Sequence, residues 1–291
     1  MKRFFSIYDE FNKKYDFFAL SEAKQYAGTD AGKVRLPSLT MPIVRQAPQI
    51  FYGSAFPNPK GRIDEWGEGK KQPIRIYQGA SDFFLGPGEE IKVVEGLDLA
   101  FEAELAVITD AVPAGVSKAE AANYIRLLTA CNDFTYRKLA RSDRESGFGF
   151  VQSKPLTSFC AFGVLPSANK AMWNNGQPIL GVKVTVNGEF FCEVSTVDML
   201  YGFPELVAYC AKTRELPAGT IITSGAISTY GHGDACIAEK QRRVKMDHDM
   251  SDVDFLKVGD VVSIDFFVLD EFGKYHPKSL FGTLENKVVV R

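Results

Sequence analysis

Residues 181–194 read GVKVTVNGEFFCEV, and this stretch gives the most direct indication of the fold class. Valine, threonine and phenylalanine, which favour strands, dominate both sides of the pair Asn187-Gly188. Asn-Gly is the preferred pair for a two-residue type I′ turn, because both positions take a positive φ. The stretch therefore predicts a β-hairpin.

Further strand-like runs lie on both sides of the hairpin. Leu105–Ile108 is a short apolar run of the kind found in buried strands. Near the C-terminus, VVSIDFFVLD at 261–270 follows Leu256–Asp260 and precedes a turn at Glu271–Gly273. The C-terminal third is therefore expected to form sheet with hairpins.

Two helices are expected among these strands. Ser117 and Glu120 form a capping box, which predicts a helix continuing through AANYIRLLTA, residues 121–130. The second predicted helix covers Phe203–Lys212. Because strands outnumber helices and the helices are not regularly interleaved, Rossmann and TIM architectures are disfavoured. We predict an α+β, β-rich fold in which a mixed sheet folds on itself as a sandwich or roll.

Composition narrows the range of partners. The 291 residues are 45% hydrophobic and 24% charged, with a formal net charge of −2, as in ordinary globular proteins. With no block of Lys and Arg, the charge gives no basis for nucleic-acid binding. No apolar stretch approaches the roughly 18 residues of a membrane span, and the first residues do not resemble a signal peptide. Five widely spaced cysteines without a CxxC pair suit a reducing compartment, so we expect a cytoplasmic protein without membrane or nucleic-acid partners.

A loop-rich passage suggests the domain organisation. Residues 41–62 contain four prolines and two glycines. We therefore expect a small N-terminal region, 1–65, followed by a main domain, 66–291.

The run FEAELAVIT, residues 101–109, carries a candidate metal site. Glu102 and Glu104 are two residues apart in a strand-like run, so both carboxylates fall on one face and repel each other. A hard divalent cation such as Mg²⁺ relieves that repulsion, provided that further oxygen ligands come from elsewhere. The alternative is that both side chains line the solvated face of an edge strand.

Three later segments carry further polar candidates. In CNDFTYR, residues 131–137, Asp133 lies four residues before Arg137, which also fits a surface ion pair where the first helix ends. Lys154 lies in a loop bounded by Gly and Pro, where an ammonium can hold a carboxylate or an enolate, or be solvated. Residues 223–228, TSGAIS, suit either a backbone amide site for an anionic oxygen or a tight packing turn.

Taken in order, five segments resemble the fumarylacetoacetate hydrolase family. They are FEAELAVIT (101–109), CNDFTYR (131–137), FGFVQSKP (148–155), LPAGTIITSGAIS (216–228) and LKVGDVVSIDF (256–266). The resemblance covers roughly residues 73–291, making 66–291 the expected catalytic domain. It implies a mixed β-sandwich roll, a homodimer, and a divalent cation, Mg²⁺ or else Ca²⁺ or Mn²⁺, that binds small 2-oxo or diketo acids.

The resemblance also implies roles for particular residues. Glu102, Glu104 and Asp133 match the metal carboxylates of the family. Arg137 and Lys154 match the basic residues that hold substrate and stabilise the enolate. In CIAEKQ, residues 236–241, Glu239 is similar to the glutamate that helps to activate water in the hydrolases. Ser224, Gly225 and Tyr52 are the expected substrate-binding residues.

The chain also departs from the family pattern. In PQIFYGSAFPNPKGRID, residues 48–64, Tyr52 stands near the position of a metal-binding Asp and Pro59 near that of the catalytic His. Ala226 replaces a usual Thr. No histidine precedes His232, and the three histidines, His232, His248 and His276, are expected on the surface.

The expected activity is cleavage of a carbon–carbon bond in a β-diketo or 2-oxo acid by a metal-dependent hydrolase. The missing histidine leaves an alternative open, namely a 2-oxo acid decarboxylase or tautomerase that needs only an electron sink. Another alternative is a family member that binds ligand with little turnover.

Overall fold

The computed structural model describes residues 3–9, 14–19, 44–57, 72–166, 172–229, 233–247, 252–270 and 273–291, the first two ranges as backbone only. The expected domain boundary at residue 65 lies outside these residues, as do Pro59, His232 and His248.

Strands dominate the described residues. They are β1 (Arg3–Asp9), β2 (Lys14–Ala19), β3 (Ile50–Tyr52), β4 (Tyr77–Gly79), β5 (Ile91–Val93), β6 (Leu99–Ala100), β7 (Ala103–Thr109), β8 (Ile125–Asp133), β9 (Thr135–Tyr136), β10 (Thr157–Phe159), β11 (Gly163–Val164), β12 (Trp173–Asn174), β13 (Gln177–Pro178), β14 (Leu180–Val186), β15 (Glu189–Ser195), β16 (Ile221–Thr223), β17 (Ser228–Thr229), β18 (Gly233–Asp234), β19 (Val261–Val268) and β20 (Leu284–Val290). The helices are α1 (Lys118–Ala121), α2 (Arg137–Ser146), α3 (Phe203–Cys210) and α4 (Ile237–Met246), with a 3₁₀ turn at Ala122–Tyr124. None of the helices in the described residues is long and apolar enough to cross a lipid bilayer.

Two sheets form the body of the fold. The larger has the order β2-β1-β11-β8-β7-β16-β3-β4, with β10 also paired to β8. The second has the order β15-β14-β19-β20-β5. β3 runs parallel to β16 and β5 parallel to β20, whereas the central pairs β7–β8 and β14–β19 are antiparallel. This arrangement confirms the predicted β-rich mixed architecture.

The predicted hairpin is present. β14 pairs with β15 in antiparallel register across Asn187 and Gly188. Both turn residues have positive φ, 55° and 80°, as a type I′ turn requires. β14 also pairs with β19 along its whole length, so the hairpin is built into the smaller sheet.

The prediction of a helix over residues 121–130 is wrong beyond its first turn. Ser117 does cap a helix with Glu120, but α1 is only four residues long. From Ile125 the chain forms β8, in which Arg126 alone is exposed and the other positions are buried. The strand pairs with β7 over seven residues, and this long-range pairing overrides the local helical preference. The second prediction, Phe203–Lys212, is confirmed, with α3 ending at Cys210.

The centre of the larger sheet is buried on both faces. In β7, Leu105 and Val107 belong to the core shared with the smaller sheet, while Ala106 and Ile108 pack in a second cluster on the opposite face. All seven residues of β7 are buried. A strand covered on both faces has a nearly continuous apolar sequence, so the acidic residues at its N-terminal end stand out.

Candidate metal centre and its cleft

Three carboxylates meet where β7 begins and β8 ends. Glu104 lies opposite Cys131 in the β7–β8 ladder, and the Asp133 N–H donates to the Glu102 carbonyl oxygen at 2.9 Å. Because residues two apart on a strand share a face, this register turns Glu102, Glu104 and Asp133 to one side. One carboxylate oxygen from each lies within 4.8 Å of the other two. The alternative of an exposed edge strand does not describe this site, because all three residues lie in the protein interior.

Burial and mutual repulsion perturb the acidities of these groups. Burial, together with the charges of Asp133 and Glu102, raises the pKa of Glu104 well above its usual range. Burial also raises the pKa of Asp133, against the opposing effect of Lys154. For Glu102, burial is outweighed by Lys154 and Arg137, which lower its pKa. Burial and the neighbouring carboxylates therefore disfavour the ionised form of Glu104, whereas Lys154 and Arg137 favour the ionised form of Glu102.

Two cations predicted from the sequence lie against the triad. The Lys154 ammonium is 2.5 Å from Asp133 Oδ2 and 3.2 Å from Glu102 Oε2. It also donates to the Thr135 hydroxyl at 2.6 Å. Arg137, the first residue of α2, donates to Glu102 Oε1 at 3.3 Å. Asp133 and Arg137 therefore belong to a buried network at a strand end, not to a surface ion pair where a helix ends.

A stacked pair of tyrosines supports Asp133. The rings of Tyr52 and Tyr77 lie 5.0 Å apart and nearly parallel. Tyr77 donates its hydroxyl to Asp133 Oδ2 at 3.1 Å. Tyr52 reaches the same carboxylate indirectly, because its hydroxyl is 2.5 Å from Thr157 Oγ1, which donates to Asp133 Oδ1 at 3.0 Å. Both oxygens of Asp133 are thus fixed by side chains around the triad.

Glu239 enters the same cleft from α4. A backbone bridge between Glu102 and Cys236 brings the start of this helix to the triad. Arg242 donates to Glu239 Oε1 at 2.5 Å, while the buried Oε2 has no hydrogen-bond partner among the described residues. Burial raises the pKa of Glu239, and Arg242 opposes that shift. Oε2 is therefore the part of this carboxyl group that has no fixed partner among the described residues.

The turn after β16 forms one wall of the cleft. Gly225 has φ +77°, and a Cβ there would lie 2.4 Å from the Gly53 carbonyl oxygen, so glycine is required. Its N–H donates to Glu104 Oε2 at 3.2 Å. Ser224 is buried behind the cleft, where its hydroxyl accepts the Leu105 N–H and donates to the Gly225 carbonyl. Gly225 and Ala226 line the cleft, whereas Ser224 does not.

The cleft has a volume of about 220 Å³ and contains residues that sequence reasoning missed. These are Arg75, Tyr77, Arg144, Phe150 and Arg242. Arg144 lies two helical turns after Arg137 on α2. Its place in the cleft follows from this helical spacing, and the sequence analysis predicts no helix there. No histidine lines the part of the cleft that the structure describes, and His276 is exposed elsewhere.

The donor set fits a divalent cation. Three carboxylates offer hard oxygen ligands, which suit Mg²⁺, Mn²⁺ or Ca²⁺ better than metals that prefer thiolate or imidazole. A cation bound there would offset the repulsion from Asp133 and Glu102 that, after burial, raises the pKa of Glu104. Because the protein supplies only these three carboxylates among the described residues, coordination positions would remain open for a substrate.

Fold and site together define a β-rich protein with a carboxylate centre suited to a divalent cation. The family model for the fumarylacetoacetate (FAA) hydrolase C-terminal domain matches residues 53–289. The chain belongs to this family, as the order of its motifs predicts.

Relatives in the family carry several activities. Over 150 residues the chain is 31% identical to the oxaloacetate tautomerase YisK of Bacillus subtilis, covering 51% of this chain and 48% of YisK. Over 172 residues it is 28% identical to the 4-hydroxyphenylacetate degradation bifunctional isomerase/decarboxylase of Salmonella dublin, covering 58% of this chain and 39% of that protein. The matches therefore span half or less of either relative.

Solved structures share the fold. The fumarylacetoacetate hydrolase of Exiguobacterium antarcticum superposes with a TM-score of 0.65 at 18% identity, covering 100% of both chains. The fumarylpyruvate hydrolase of Pseudomonas aeruginosa, solved with Mn²⁺ and pyruvate, superposes with a TM-score of 0.58 at 15% identity, covering 85% of this chain and 91% of that one.

Proposed function

We propose that this protein is a divalent-cation-dependent hydrolase that cleaves a carbon–carbon bond in a β-diketo acid of the acylpyruvate or fumarylacetoacetate type. The observation that carries the proposal is the meeting, in one cleft, of three carboxylates, two paired cations and the free oxygen of Glu239. When bound by Glu102, Glu104 and Asp133, a divalent cation would supply Lewis acidity toward the oxygens of a 2-oxo acid.

Lys154 and Arg137 stabilise the leaving group. When the carbon–carbon bond breaks, its electron pair moves onto the departing oxo-acid fragment as an enolate. Both cations are fixed beforehand by their contacts with Glu102 and are largely buried, with side-chain exposures of 12% and 18%. Preorganised positive charge in a poorly solvated site lowers the energy of such an anion.

Glu239 serves as the general base. Its free Oε2 takes a proton from water while the water oxygen adds to the acyl carbonyl carbon. The carbon–carbon bond then breaks and the acyl group leaves as a carboxylic acid. The enolate carbon takes up the proton that Glu239 accepted, which gives the oxo acid and regenerates the base. A raised pKa makes a carboxylate a stronger base near neutral pH.

A second candidate is tautomerisation or decarboxylation of a 2-oxo acid. The described part of the cleft has no histidine to assist Glu239, and neither reaction needs an activated water. The names of the two relatives, a tautomerase and an isomerase/decarboxylase, support this candidate. In both reactions Lys154 and Arg137 stabilise the same kind of enolate.

A spectrophotometric panel separates these functions. Acetylpyruvate, a fumarylacetoacetate-like diketo acid and oxaloacetate are each tested with Mg²⁺, with Mn²⁺ and with chelator, against Glu102→Gln as the site variant. Cation-dependent loss of the diketo absorbance supports the hydrolase. Turnover of oxaloacetate alone supports the second candidate. Activity that survives both chelator and Glu102→Gln would refute the site assignment.

Mg²⁺ is the proposed physiological cation, with Mn²⁺ and Ca²⁺ as alternatives to be compared in the same panel. We also propose a cytoplasmic homodimer whose catalytic domain is 66–291, preceded by a small region, 1–65. The free, buried state of all five cysteines supports a reducing compartment. Light scattering coupled to gel filtration tests the dimer.

A further inference from the structure

Helix α2 presents a row of like charges. Arg137, Arg141 and Arg144 are spaced by four and three residues, which puts them on one helical face, with the buried Ala140 beside them. Like charges at these spacings destabilise a helix, so a ligand that neutralises them would stabilise it.

This face of α2 borders a second cavity of about 340 Å³, which lies between α2 and α4. Five cationic side chains line it: Arg137, Arg141, Arg144, Arg242 and Lys245. Glu145 is the one acidic residue among the described residues around it. Arg137, Arg144 and Arg242 also line the cleft of the carboxylate triad, so the two spaces adjoin.

The arginines shared by the two spaces differ in their partners. Arg137 is paired with Glu102 and Arg242 with Glu239. Arg144 makes no side-chain hydrogen bond or ion pair with any residue that the structure describes. Partial burial, followed by the charges of Arg137 and Arg242, lowers its pKa, as expected for a guanidinium placed beside two others. An anion in this cavity would relieve that repulsion.

We propose that Arg144 and Arg242 form an anion subsite for a second anionic group of the substrate, at the side of the cleft that adjoins the second cavity. A guanidinium binds a carboxylate or a phosphate through two parallel hydrogen bonds, so the preferred substrates are 2-oxo acids that end in one of these groups. This inference rests on the proposed function, because the triad must hold the 2-oxo acid end.

The test is a binding comparison between ligands of equal length. Calorimetry with the full chain and Mg²⁺ compares 2-oxohexanoate with 2-oxoadipate, which differ only in the terminal carboxylate. A 2-oxo acid of the same length ending in a phosphate ester distinguishes the two anions. The variants are Arg144→Gln and, as a matched control outside both spaces, Arg126→Gln, whose guanidinium pairs with Asp110.

We expect wild type and Arg126→Gln to bind 2-oxoadipate or the phosphate ester at least about 10-fold more tightly than 2-oxohexanoate. Arg144→Gln should lose this preference while keeping its affinity for 2-oxohexanoate, and added salt should weaken the preference. Equal affinities in wild type, or a preference that survives Arg144→Gln, would overturn the subsite alone. Failure of every 2-oxo acid to bind with Mg²⁺ would overturn the proposed function, and the subsite with it.

Discussion

Replacing Glu104 with glutamine should separate the stability of the protein from its affinity for a cation. Glu104 is buried between Asp133 and Glu102, which together with burial raise its pKa. Glutamine keeps the shape and an oxygen that can accept the Gly225 N–H, now bonded at 3.2 Å, but removes the ionisable group. Without cation, the variant should therefore be more stable than wild type at neutral pH.

The sign follows from proton linkage. A carboxyl with a raised pKa in the folded state binds its proton more tightly when folded, so stability is lost as pH rises from the unfolded pKa, about 4.3, toward the folded pKa. The Glu104→Gln variant has no ionisable group at this position, so its stability does not fall in this way as pH rises. Its advantage should be absent below about pH 4 and grow above it.

The magnitude expected at neutral pH is about 1–2 kcal/mol, which lies within the range observed for single stabilising substitutions. At this chain length the gain corresponds to a rise in Tm of about 2–4 °C. In contrast, a cation at about 100 times its Kd stabilises wild type by about 2.7 kcal/mol. The variant should lose most of that effect, because one of the triad's three carboxylates is gone.

Thermal unfolding by circular dichroism, with EDTA and with Mg²⁺, checks both effects. The order of Tm values should reverse between the two conditions. Glu95→Gln is the control, because Glu95 is exposed and its replacement removes one charge outside the cleft. A lower Tm for Glu104→Gln in EDTA, or a Mg²⁺-induced rise as large as in wild type, would refute the reasoning.

Other predictions concern groups around the triad. Glu239→Gln should lower kcat by about 10²- to 10⁴-fold, measured by steady-state kinetics, while calorimetry should show an unchanged cation affinity. An unchanged kcat would exclude Glu239 as the base. Tyr77→Phe, which removes the 3.1 Å hydrogen bond to Asp133, should weaken cation binding by about 10- to 100-fold with the fold intact. Because Glu104 must ionise to bind a cation, binding should release protons and weaken as pH falls; calorimetry in buffers of different ionisation enthalpy measures this release, and its absence would contradict the raised pKa.

Local sequence rules predicted the parts of the fold that depend on near neighbours. The Asn187-Gly188 turn requires two positive φ angles, and Asn-Gly supplies them whatever the rest of the chain does. The spacing of Glu102 and Glu104 puts both on one face because strand periodicity is fixed. Neither inference depends on knowing which strands are adjacent.

Helices were harder to predict. α2 has the sequence RKLARSDRES and α4 has IAEKQRRVKM, so neither shows the broad apolar stripe by which amphipathic helices are recognised. β8 presented the opposite difficulty. A capping box precedes the segment IRLLTA, and the segment itself contains good helix formers. Its pairing with β7 nevertheless makes it a strand. Such long-range contacts are not encoded in any local window.

The net charge of the cleft depends on residues from several separate segments of the chain. Tyr52 stands where the family resemblance implies an acidic ligand, and here it supports Asp133 through Thr157 without adding negative charge. The triad therefore carries one carboxylate fewer than the pattern implies. The charge of Arg242 is balanced by Glu239, whereas Arg144 adds a positive charge to the same cleft without an ion pair to any described residue. With a divalent cation bound, the cleft would carry an excess of positive charge that a monoanionic 2-oxo acid would not neutralise. A dianionic substrate would match it more closely, which is the physical reason to test 2-oxoadipate beside 2-oxohexanoate.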